Sequence, residues 1–378
     1  MLHLPKGLTT LKIYCDTALL SEACQNVQRA VSGKTTIPAI EGILIKALGS
    51  ELLLTGYDLE MGITTSIPCK VVEQGAIILN ARVLCDIVRK IPGETVYIES
   101  DERMLTTIRG GEASYSLIGI DGNEFPELPT VSGGYPVVVS QSLLKNMIRQ
   151  TIFSVAVKDS KIIHTGVKFE ISSNLFRLVA VDGSRLAMRT EEIDYTGEEL
   201  SFVVPAKTLN EVTKLLGDDE DTVSLAVGKR HIIFEIGNYM IISRLLDGEF
   251  LNYKNAIPTT FTSTAIINVD EMIDSIDRAS LIITDKFVSP VRFIFDEQLV
   301  RISSVTALGT ANDSFPCRLE GQKVEIGFNN KLMMDALRAC DVDEVKIELN
   351  GGFAPIVILP KEGESFLFLI LPMRFKKD

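Results

Sequence analysis

The tripeptide Asp182-Gly183-Ser184 comes closest to a catalytic motif in this sequence, because a serine on a tight turn could act as a nucleophile. Such a serine needs a base to accept its proton, and the nucleophile elbow of hydrolases has the pattern G-x-S-x-G. The sequence contains neither that pattern nor an obvious histidine partner for Ser184. Asp-Gly is also a frequent turn dipeptide. We therefore interpret the tripeptide as a turn that joins two strands.

No other group of residues in the sequence has the spacing of a catalytic or metal-binding motif. The acidic run Asp218–Asp221 could bind a cation, but it stands between a predicted helix and a predicted strand, where a solvated turn is the simpler interpretation. The histidines and cysteines show no ligand spacing, and there is no Walker loop, no G-x-G-x-x-G after a strand and no H-E-x-x-H. We therefore expect a binding protein without cofactor or metal ion, not an enzyme.

The composition is typical of a folded, soluble protein with more than one domain. The 378 residues exceed a single ordinary core, and 46% hydrophobic residues with 23% charged residues exclude a disordered chain. No apolar run reaches the roughly 18 residues that cross a bilayer, and the amino terminus lacks the pattern of a signal peptide. Six scattered cysteines without a C-x-x-C pair indicate buried thiols in a reducing compartment. We expect a cytoplasmic protein.

One stretch of the sequence occurs three times. Phe202–Val227 reads as a strand, an amphipathic helix, an acidic turn and a second strand, and Ile77–Glu99 and Val324–Leu349 repeat that order. Equivalent positions in these helices, spaced by 125 and 124 residues, are Leu84, Leu209 and Met333. A second predicted helix also recurs, at Leu19–Val31, Leu143–Val155 and Glu271–Ile282. Because this period has the length of a domain, we predict three copies of one domain.

Each predicted copy is rich in β-structure and contains two helices. Short runs of β-branched and aliphatic residues, broken by Gly, Asp and Asn, lie between the two helices and after the second one. This order predicts an α+β fold in which two helices cover one face of an antiparallel sheet. Clusters of Pro and Gly mark the junctions, so we predict domains at residues 1–130, 131–256 and 257–378.

Charge is distributed unevenly along the chain. The net charge is −12, but the six predicted helices together carry +3, so the remainder carries −15. A mildly cationic helical face would attract a polyanion without binding it tightly. The alternative is that these Lys and Arg residues only keep exposed helix faces in water.

Five stretches of the sequence resemble the bacterial DNA polymerase III β subunit, the sliding clamp, in order and spacing over essentially the whole chain. They are Ser32–Pro38, Thr55–Glu60, Ala180–Ala187, Leu246–Tyr253 and Leu371–Arg374. Members of that family are head-to-tail homodimers in which six similar domains form a ring, with helices lining the hole and sheet outside. The resemblance implies a ring that encircles double-stranded DNA of any sequence and tethers the polymerase, giving processivity without chemistry of its own.

The resemblance also implies where DNA would be contacted. Lys34 and Lys158, in the loops after the first and third helices, fall where the family touches DNA. Further candidates, chosen by helix placement only, are Lys145, Arg149, Lys207, Lys214, Lys331 and Arg338. A ring held by topology needs only weak, sequence-neutral phosphate contacts, because tight contacts would stop it from sliding.

Ring closure requires an edge of the first domain to meet an edge of the third domain of the other chain. By resemblance, the first edge is the predicted helix Arg82–Ile91 with the predicted strand Met104–Ile108, and the second is Leu281-Ile282 with the predicted strand Leu299–Ile302. The predicted interface residues are Leu84, Ile87, Met104, Leu105, Leu281 and Ile282. In a monomer, apolar residues at these positions could equally belong to the core.

The family binds its partners through a short peptide with hydrophobic anchors, held in a groove between the second and third domains. The resemblance implies the replicative polymerase, an ATP-driven clamp loader and repair proteins as partners. The implied groove residues are His164, Val181, Gly183, Ser184, Arg185, Leu186, Leu251, Ala256, Pro355, Ile356, Leu369, Ile370, Leu371, Pro372, Met373 and Arg374. The sequence departs from a common family pattern at His164, Val181 and Ser184, which bears on the affinity for a given peptide and not on the existence of the groove.

Two other functions are compatible with the sequence. A scaffold of tandem domains without a role on DNA would retain a peptide groove but would not stimulate a polymerase. A hydrolase acting through Ser184 would lose its turnover in the variant Ser184→Ala, although the missing catalytic pattern argues against this function.

Overall fold

The structure, a computed structural model, describes residues 10–33, 35–132, 136–158, 161–283 and 290–374. Six α-helices lie within these ranges, two in each predicted copy. They are α1 (Thr17–Val27), α2 (Ala81–Lys90), α3 (Gln141–Ile152), α4 (Ala206–Leu215), α5 (Val269–Ser280) and α6 (Asn330–Ala339). A polar side chain before the helix sets its start: Asp16 accepts from the N–H of Leu19 at 2.9 Å, and Asn268 accepts from that of Glu271 at 3.0 Å.

Twenty-six strands lie in the same ranges. The first copy contains β1 (Leu11–Asp16), β2 (Gly42–Leu48), β3 (Glu51–Tyr57), β4 (Met61–Glu73), β5 (Gly75–Asn80), β6 (Thr95–Ser100), β7 (Leu105–Gly110), β8 (Ala113–Ile118) and β9 (Ile120–Asp121). The central copy contains β10 (Val137–Ser140), β11 (Gly166–Ser172), β12 (Leu175–Val181), β13 (Arg185–Glu191), β14 (Leu200–Pro205), β15 (Thr222–Val227), β16 (His231–Ile236) and β17 (Tyr239–Arg244). The last copy contains β18 (Ser263–Asn268), β19 (Val291–Phe295), β20 (Leu299–Thr306), β21 (Gly309–Pro316), β22 (Arg318–Gly321), β23 (Val324–Phe328), β24 (Glu344–Leu349), β25 (Ile356–Pro360) and β26 (Phe366–Ile370).

Residue contacts divide the chain into two compact units. Unit 1 comprises Met1–Ser142 and Asn210–Leu245, and unit 2 comprises Leu143–Leu209 and Leu246–Asp378. The division runs through the central copy because its strands belong to different sheets: β17 pairs with β4 in unit 1, whereas β13 pairs with β26 in unit 2. Contacts therefore group the strands differently from the order of the sequence repeats.

The sheet of unit 1 is antiparallel and runs in the order β10-β15-β16-β17-β4-β1-β6-β7-β8, with β2, β3, β5 and β9 branching from it. The long strand β4 makes the branch possible, because its first half pairs with β17 and β3 and its second half with β1. The last strand on this path is β8. All six of its residues are half-buried or exposed, and 85% of Ile118 is exposed.

Unit 2 contains two antiparallel sheets. The larger one runs β14-β11-β12-β13-β26-β25-β24-β18-β22 and the smaller one β21-β20-β19-β23. The main apolar core of this unit lies among α5, α6 and the strands they cover, and four of its fully buried residues are Phe293, Phe328, Phe366 and Phe368. The pairing of β13 with β26 joins the strands of the central copy to those of the last copy in one sheet.

The apolar residues predicted to lie on the buried helical faces are buried or half-buried, except for Leu19 of α1. The structure buries Leu84, Ile87 and Val88 of α2, as the spacing predicts. Apolar spacing in the predicted helix Leu19–Val31 places Leu19 on the same buried face as Leu20, Ala23, Val27 and Val31. In the structure, 40% of Leu19 is exposed. The buried stripe of α1 is centred on Leu20. Leu19 is exposed because consecutive residues of a helix with 3.6 residues per turn point about 100° apart. Among the described residues, no helix is both long and apolar enough to cross a membrane.

Candidate functional site

A tight turn between β12 and β13 positions several predicted groove residues. The Asp182 carboxylate accepts hydrogen bonds from the backbone N–H groups of Ser184 and Arg185, at 3.0 and 3.1 Å. Gly183 has a φ of +84°, which residues with a Cβ rarely adopt. The strands on either side pair directly, with Val181 opposite Leu186. The interpretation of Asp182-Gly183-Ser184 as a connection between two strands is therefore confirmed.

The side chain of Arg185 is held by two carboxylates and an aromatic ring. Its Nε donates to Asp182 Oδ2 at 2.8 Å, and its Nη1 donates to Asp335 Oδ2, on α6, at 2.7 Å. Its guanidinium carbon lies 5.4 Å from the ring centre of Phe153, within range of a cation–π interaction. Only 11% of the Arg185 side chain is exposed. Arg185 therefore forms a rigid polar wall whose charge the protein itself neutralises.

The carboxyl-terminal strand brings the second half of the predicted groove beside this turn. β26 pairs with both β13 and β25, so Ile370 lies opposite Arg185 and opposite Ile356. The next residue, Leu371, donates its backbone N–H to the carbonyl of Ser184 at 2.9 Å. Residues that are far apart in the chain thus become neighbours along one edge.

The predicted groove residues divide into a buried floor and an accessible rim. The floor residues, which are at most 4% exposed, are Val181, Leu186, Ile356, Leu369 and Ile370. The rim residues, which are half-buried or exposed, are His164, Gly183, Ser184, Arg185, Leu251, Ala256, Pro355, Leu371, Pro372, Met373 and Arg374. Only the rim residues therefore have surface that solvent can reach.

Two rim residues, Leu251 and Ala256, flank the buried side chain of Tyr253. The Tyr253 hydroxyl donates to Glu170 Oε2 at 2.6 Å, and Lys168 Nζ lies 2.8 Å from Glu170 Oε1. Lys168 Nζ also lies 5.7 Å from the ring centre of Tyr253. Glu170 and Lys168 on β11 therefore hold the side chain of Tyr253, and with it the segment from Leu251 to Ala256, in place.

The pKa values of this cluster keep its hydrogen bonds intact over the ordinary pH range. Burial by itself would raise the pKa of Glu170, but hydrogen bonds from Lys168 and Tyr253 outweigh it and hold the pKa below its usual value. Burial, followed by the hydrogen bond to Glu170, raises the pKa of Tyr253 to about 12. Near neutral pH the carboxylate is therefore ionised and the phenol protonated, as the hydrogen bond between them requires.

The predicted DNA contacts are basic residues on the surfaces of the two units. Arg149, Lys158 and Lys207 are exposed and Lys145 is half-buried, all in unit 2, while Lys214 is exposed in unit 1. Lys214 Nζ forms an ion pair with Glu211 at 2.8 Å. The remaining two helix candidates, Lys331 and Arg338, are exposed on α6. Lys34 lies outside the described residues.

The predicted interface residues differ in how much surface they offer. Leu84 is fully buried and Ile87 is nearly so, whereas 45% of Leu105 and 79% of Leu281 are exposed. Met104 and Ile282 are half-buried, and Met104 precedes β7 with a φ of +65°. Leu84 therefore supports α2 from the core and has no surface for a second chain.

The strands named for the two predicted edges are each one position inside the edge. β7 carries Leu105 but lies between β6 and β8, and β20 lies between β19 and β21. The strands next to them, β8 and β21, each stand at one end of a described sheet path. Both edge strands were named by resemblance, and no pattern in the sequence states which strand of a sheet is the last one.

Two residues that contact Arg185 or its turn are not among the predicted groove residues. The first is Asp182, for which the Asp-Gly turn dipeptide was an available signal. The second is Asp335, which contacts Arg185 across 150 positions in the chain. No local pattern in the sequence connects those two positions.

Three family models match consecutive parts of the chain. They are described as DNA polymerase III beta subunit, with its N-terminal domain at residues 11–129, its central domain at 138–252 and its C-terminal domain at 254–374. A protein named beta sliding clamp from Staphylococcus epidermidis is 33% identical over 356 residues, which cover 92% of this chain and 94% of that protein.

Solved structures show the same similarity. The DNA polymerase sliding clamp from Bacillus subtilis is 32% identical with a TM-score of 0.95, and the match covers 97% of this chain and 100% of that one. The DNA polymerase III beta subunit from Thermotoga maritima is 26% identical with a TM-score of 0.89, and the match again covers 97% and 100% of the two chains.

Proposed function

This chain belongs to the DNA polymerase III beta subunit family, and from that premise we propose how its surfaces assemble a clamp, meet DNA and bind partners. The chain is a sliding clamp built from three tandem clamp domains, a processivity factor for DNA polymerase and not an enzyme. The predicted domains 1–130, 131–256 and 257–378 are our assignment of these three domains. A replication clamp acts on the chromosome, so we place it in the cytoplasm.

We propose that two chains close head to tail into a ring. The outermost strand β8 of one chain would lie beside β21 of the other, because both end a sheet. Exposed apolar residues support this contact: 85% of Ile118, at the end of β8, and 72% of Leu308, in the turn before β21, are exposed. A head-to-tail contact joins two different surfaces. It forms a closed ring of two chains when a two-fold rotation relates one chain to the other.

The charges on α2 and α5, the helices associated with the first and the second edge, support the same head-to-tail arrangement. On α2, near the first edge, Arg82 and Lys90 are exposed cations. On α5, near the second edge, the exposed carboxylates outnumber the cations, and they are Asp270, Glu271, Asp274 and Asp277. Opposite charges on the two edges would favour the head-to-tail contact and disfavour contacts between like edges.

We propose that DNA passes the helical faces without sequence-specific contacts. Basic side chains on helices and on the loops after them supply the phosphate contacts, and they are Lys34, Lys145, Arg149, Lys158, Lys207 and Lys214. The chain carries a net charge of −12, so general attraction to DNA is weak and topology must hold the ring in place.

We propose that the groove between β13 and the carboxyl-terminal segment binds short peptides with hydrophobic anchors. The polymerase, the clamp loader and repair proteins would carry such peptides. The rim offers apolar contact at Leu251, Leu371 and Met373. Because a Met side chain is flexible, Met373 can pack against peptides that differ in sequence. Arg185 supplies a fixed polar wall, since its charge is already balanced by Asp182 and Asp335.

The observation that carries this proposal is the match of the family models to nearly the whole chain. The test is light scattering, combined with retention on nicked circular DNA before and after linearisation. We expect a mass near twice 41.6 kDa and retention on circles that is lost at free ends. Equal retention on both DNAs, or a monomer, would contradict the ring and leave a peptide-binding scaffold.

A matched pair of variants sharpens this test. Ile118→Asp should dissociate the dimer, because burial of an Ile side chain contributes about 1.5–3 kcal/mol at each of two equivalent contacts. The dissociation constant should therefore rise more than about 100-fold, and retention on circles should be lost. Val72→Asp also places a charge on an exposed apolar strand residue, away from both edges, and should leave mass and retention unchanged.

A further inference from the structure

Cationic and aromatic side chains alternate with buried ones on four neighbouring strands of the sheet in unit 1. Tyr14 on β1 lies opposite Lys70 on β4 on one side and opposite Tyr97 on β6 on the other. Tyr97 in turn lies opposite Arg109 on β7. The next residue along β6, Ile98, is fully buried, and successive side chains of a strand point to opposite faces. The row of Lys70, Tyr14, Tyr97 and Arg109, here called the outer row, therefore lies on the face turned away from the core.

Each of the two cations in the outer row lies over an aromatic ring. Lys70 Nζ is 5.7 Å from the ring centre of Tyr14, and the guanidinium carbon of Arg109 is 6.0 Å from that of Tyr97. The two ring centres are 5.0 Å apart, with 47° between the ring planes. Cation–π contacts thus hold both cations in place, so a ligand would not have to order these long side chains.

The two cations of the outer row are not neutralised by ion pairs. In the part of the chain that the structure describes, neither Lys70 nor Arg109 has a carboxylate at ion-pair distance, although both are exposed. Glu99, on the same face, is already engaged: it accepts from the Tyr97 hydroxyl at 2.5 Å and lies 3.2 Å from Lys12 Nζ. A chain with a net charge of −12 therefore presents two free cations here, separated by three strand spacings or roughly 14 Å.

A cavity of about 600 Å³ opens beside Lys70 and Tyr14. Its lining includes Pro68 and two carboxylates, Asp16 and Glu94. An apolar side chain can pack there against the ring of Tyr14 and Pro68, whereas an acidic side chain would meet two like charges. The cavity therefore suits an apolar residue next to an anion bound at Lys70.

We propose that the outer row binds an extended acidic segment of a partner protein. Two carboxylates four residues apart would each meet one cation, because four residues of an extended chain span about 13 Å. A small dicarboxylate is too short to reach both cations. An apolar residue beside the carboxylate at Lys70 would enter the cavity. The outer row shares no residue with the peptide groove, so the two sites can be tested separately.

The contacts of the rings favour this ligand over single-stranded nucleic acid. Bases bind such platforms by stacking on open ring faces. Lys12 Nζ lies 5.6 Å from the ring centre of Tyr97, which Arg109 also approaches, and Lys70 lies over Tyr14. The cations thus cover the ring faces and are themselves the groups that a ligand meets. Carboxylates complement them without bringing a polyanion to an acidic chain.

The test is fluorescence anisotropy of a labelled synthetic peptide with two aspartates four residues apart, a proline midway and a leucine outside each aspartate. We expect saturable binding to the full-length protein that is weakened about tenfold or more in the double variant Lys70→Gln/Arg109→Gln, which keeps both side-chain stems over the rings. Arg318→Gln removes one exposed cation from β22, in unit 2, and should leave the affinity unchanged. Equal binding by the wild type and the double variant, or no saturation up to about 1 mM peptide, would overturn the proposal.

Two controls identify the class of ligand and the cause of any loss. Replacing both aspartates of the peptide by asparagine should weaken binding to the wild type as much as the double variant does. Single-stranded oligothymidylate that binds more tightly than the peptide, and is lost in the double variant, would assign the surface to nucleic acid and overturn the proposal. A hydrophobic-anchor peptide for the groove should bind the double variant like the wild type, so a folding defect is distinguishable.

Discussion

Replacement of Asp182 by Ala tests whether this one carboxylate shapes the rim of the peptide groove. Asp182 accepts two backbone N–H bonds in the turn and one hydrogen bond from Arg185 Nε. A carboxylate that caps backbone N–H groups contributes about 1 kcal/mol. Only 11% of the Arg185 side chain and 17% of the Asp182 side chain are exposed. We therefore expect their ion pair to contribute about 1–2 kcal/mol to the free energy of unfolding, more than an exposed pair contributes.

The two losses together should lower the free energy of unfolding by about 2–3 kcal/mol. Unit 2, which contains the turn, has roughly 200 residues, and for that size 1 kcal/mol corresponds to about 2–4 °C in melting temperature. We therefore expect Asp182→Ala to lower the melting temperature by roughly 5–10 °C. The turn carries Ser184 and Arg185, so affinity for a peptide with hydrophobic anchors should also fall. If the peptide loses about 1.4 kcal/mol of contact with these two residues, its dissociation constant rises about tenfold.

Two matched variants separate the contributions. Asp182→Asn keeps an oxygen that can accept the backbone bonds and removes only the charge, so we expect a loss of about 1–2 kcal/mol. Asp335→Asn removes the second carboxylate at Arg185, but 43% of the Asp335 side chain is exposed, and solvent screening should limit the loss to less than about 1 kcal/mol.

The assays are thermal unfolding followed by far-ultraviolet circular dichroism, since the chain has no tryptophan, and fluorescence anisotropy of a labelled peptide. The expected order of destabilisation is Asp182→Ala, then Asp182→Asn, then Asp335→Asn. If Asp335→Asn destabilises the protein as much as Asp182→Ala, or if Asp182→Ala binds the peptide as tightly as the wild type, the turn does not organise the rim as we argue.

Three further predictions concern single residues. Gly183→Ala should lower the free energy of unfolding by about 1 kcal/mol through backbone strain alone, because φ of Gly183 is +84° and no atom of the described residues lies within 4 Å of an added Cβ. Gly183→Asn should melt at a higher temperature than the Ala variant, since Asn tolerates this φ better. Burial raises the pKa of both the Cys15 and Cys340 thiols to about 12, so at pH 8 they should react with a disulfide reagent only after unfolding, and rapid reaction of the native protein would contradict that burial. Hydrogen bonds from Lys323, Arg301 and the backbone of Glu297 hold the pKa of Asp296 at about 2, below its usual 3.8. The stability that the ionised carboxylate contributes is therefore present above pH 4 and lost as the pH falls toward 2, so the difference in melting temperature between the wild type and Asp296→Asn should vanish over that interval. A difference that persists at pH 2 would show that these hydrogen bonds to the carboxylate are not its cause.

The regular elements could be predicted from the sequence because their signals are local. The period of 3.6 residues in apolar positions located α2, where Leu84, Ile87 and Val88 are buried as expected. Recurrence of the same pattern at domain-sized spacing indicated three copies. The dipeptide Asp182-Gly183 indicated a turn, which the structure contains. In each case neighbours in the chain determine the conformation.

The edges of the sheets and the shape of the groove required the tertiary structure. Strand periodicity separates the two faces of a strand, but it does not state which strand is outermost. The family resemblance named β7 and β20, whereas β8 and β21 stand at the ends of sheet paths. The set of groove residues came from family resemblance, and no spacing in the sequence brings Ser184 to Leu371 or Arg185 to Asp335.

The sequence by itself determined the helices, strands and turns, because each depends on preferences that act over a few residues. It also showed the threefold repeat, because the same local pattern recurs along the chain. What only the tertiary structure decided is the pairing of β13 with β26, which joins the central and last copies and aligns both halves of the groove. Such a pairing depends on the free energy of closing a loop of well over 100 residues against that of burying two complementary strands. That balance is a property of the whole fold, and no local stretch of sequence contains it.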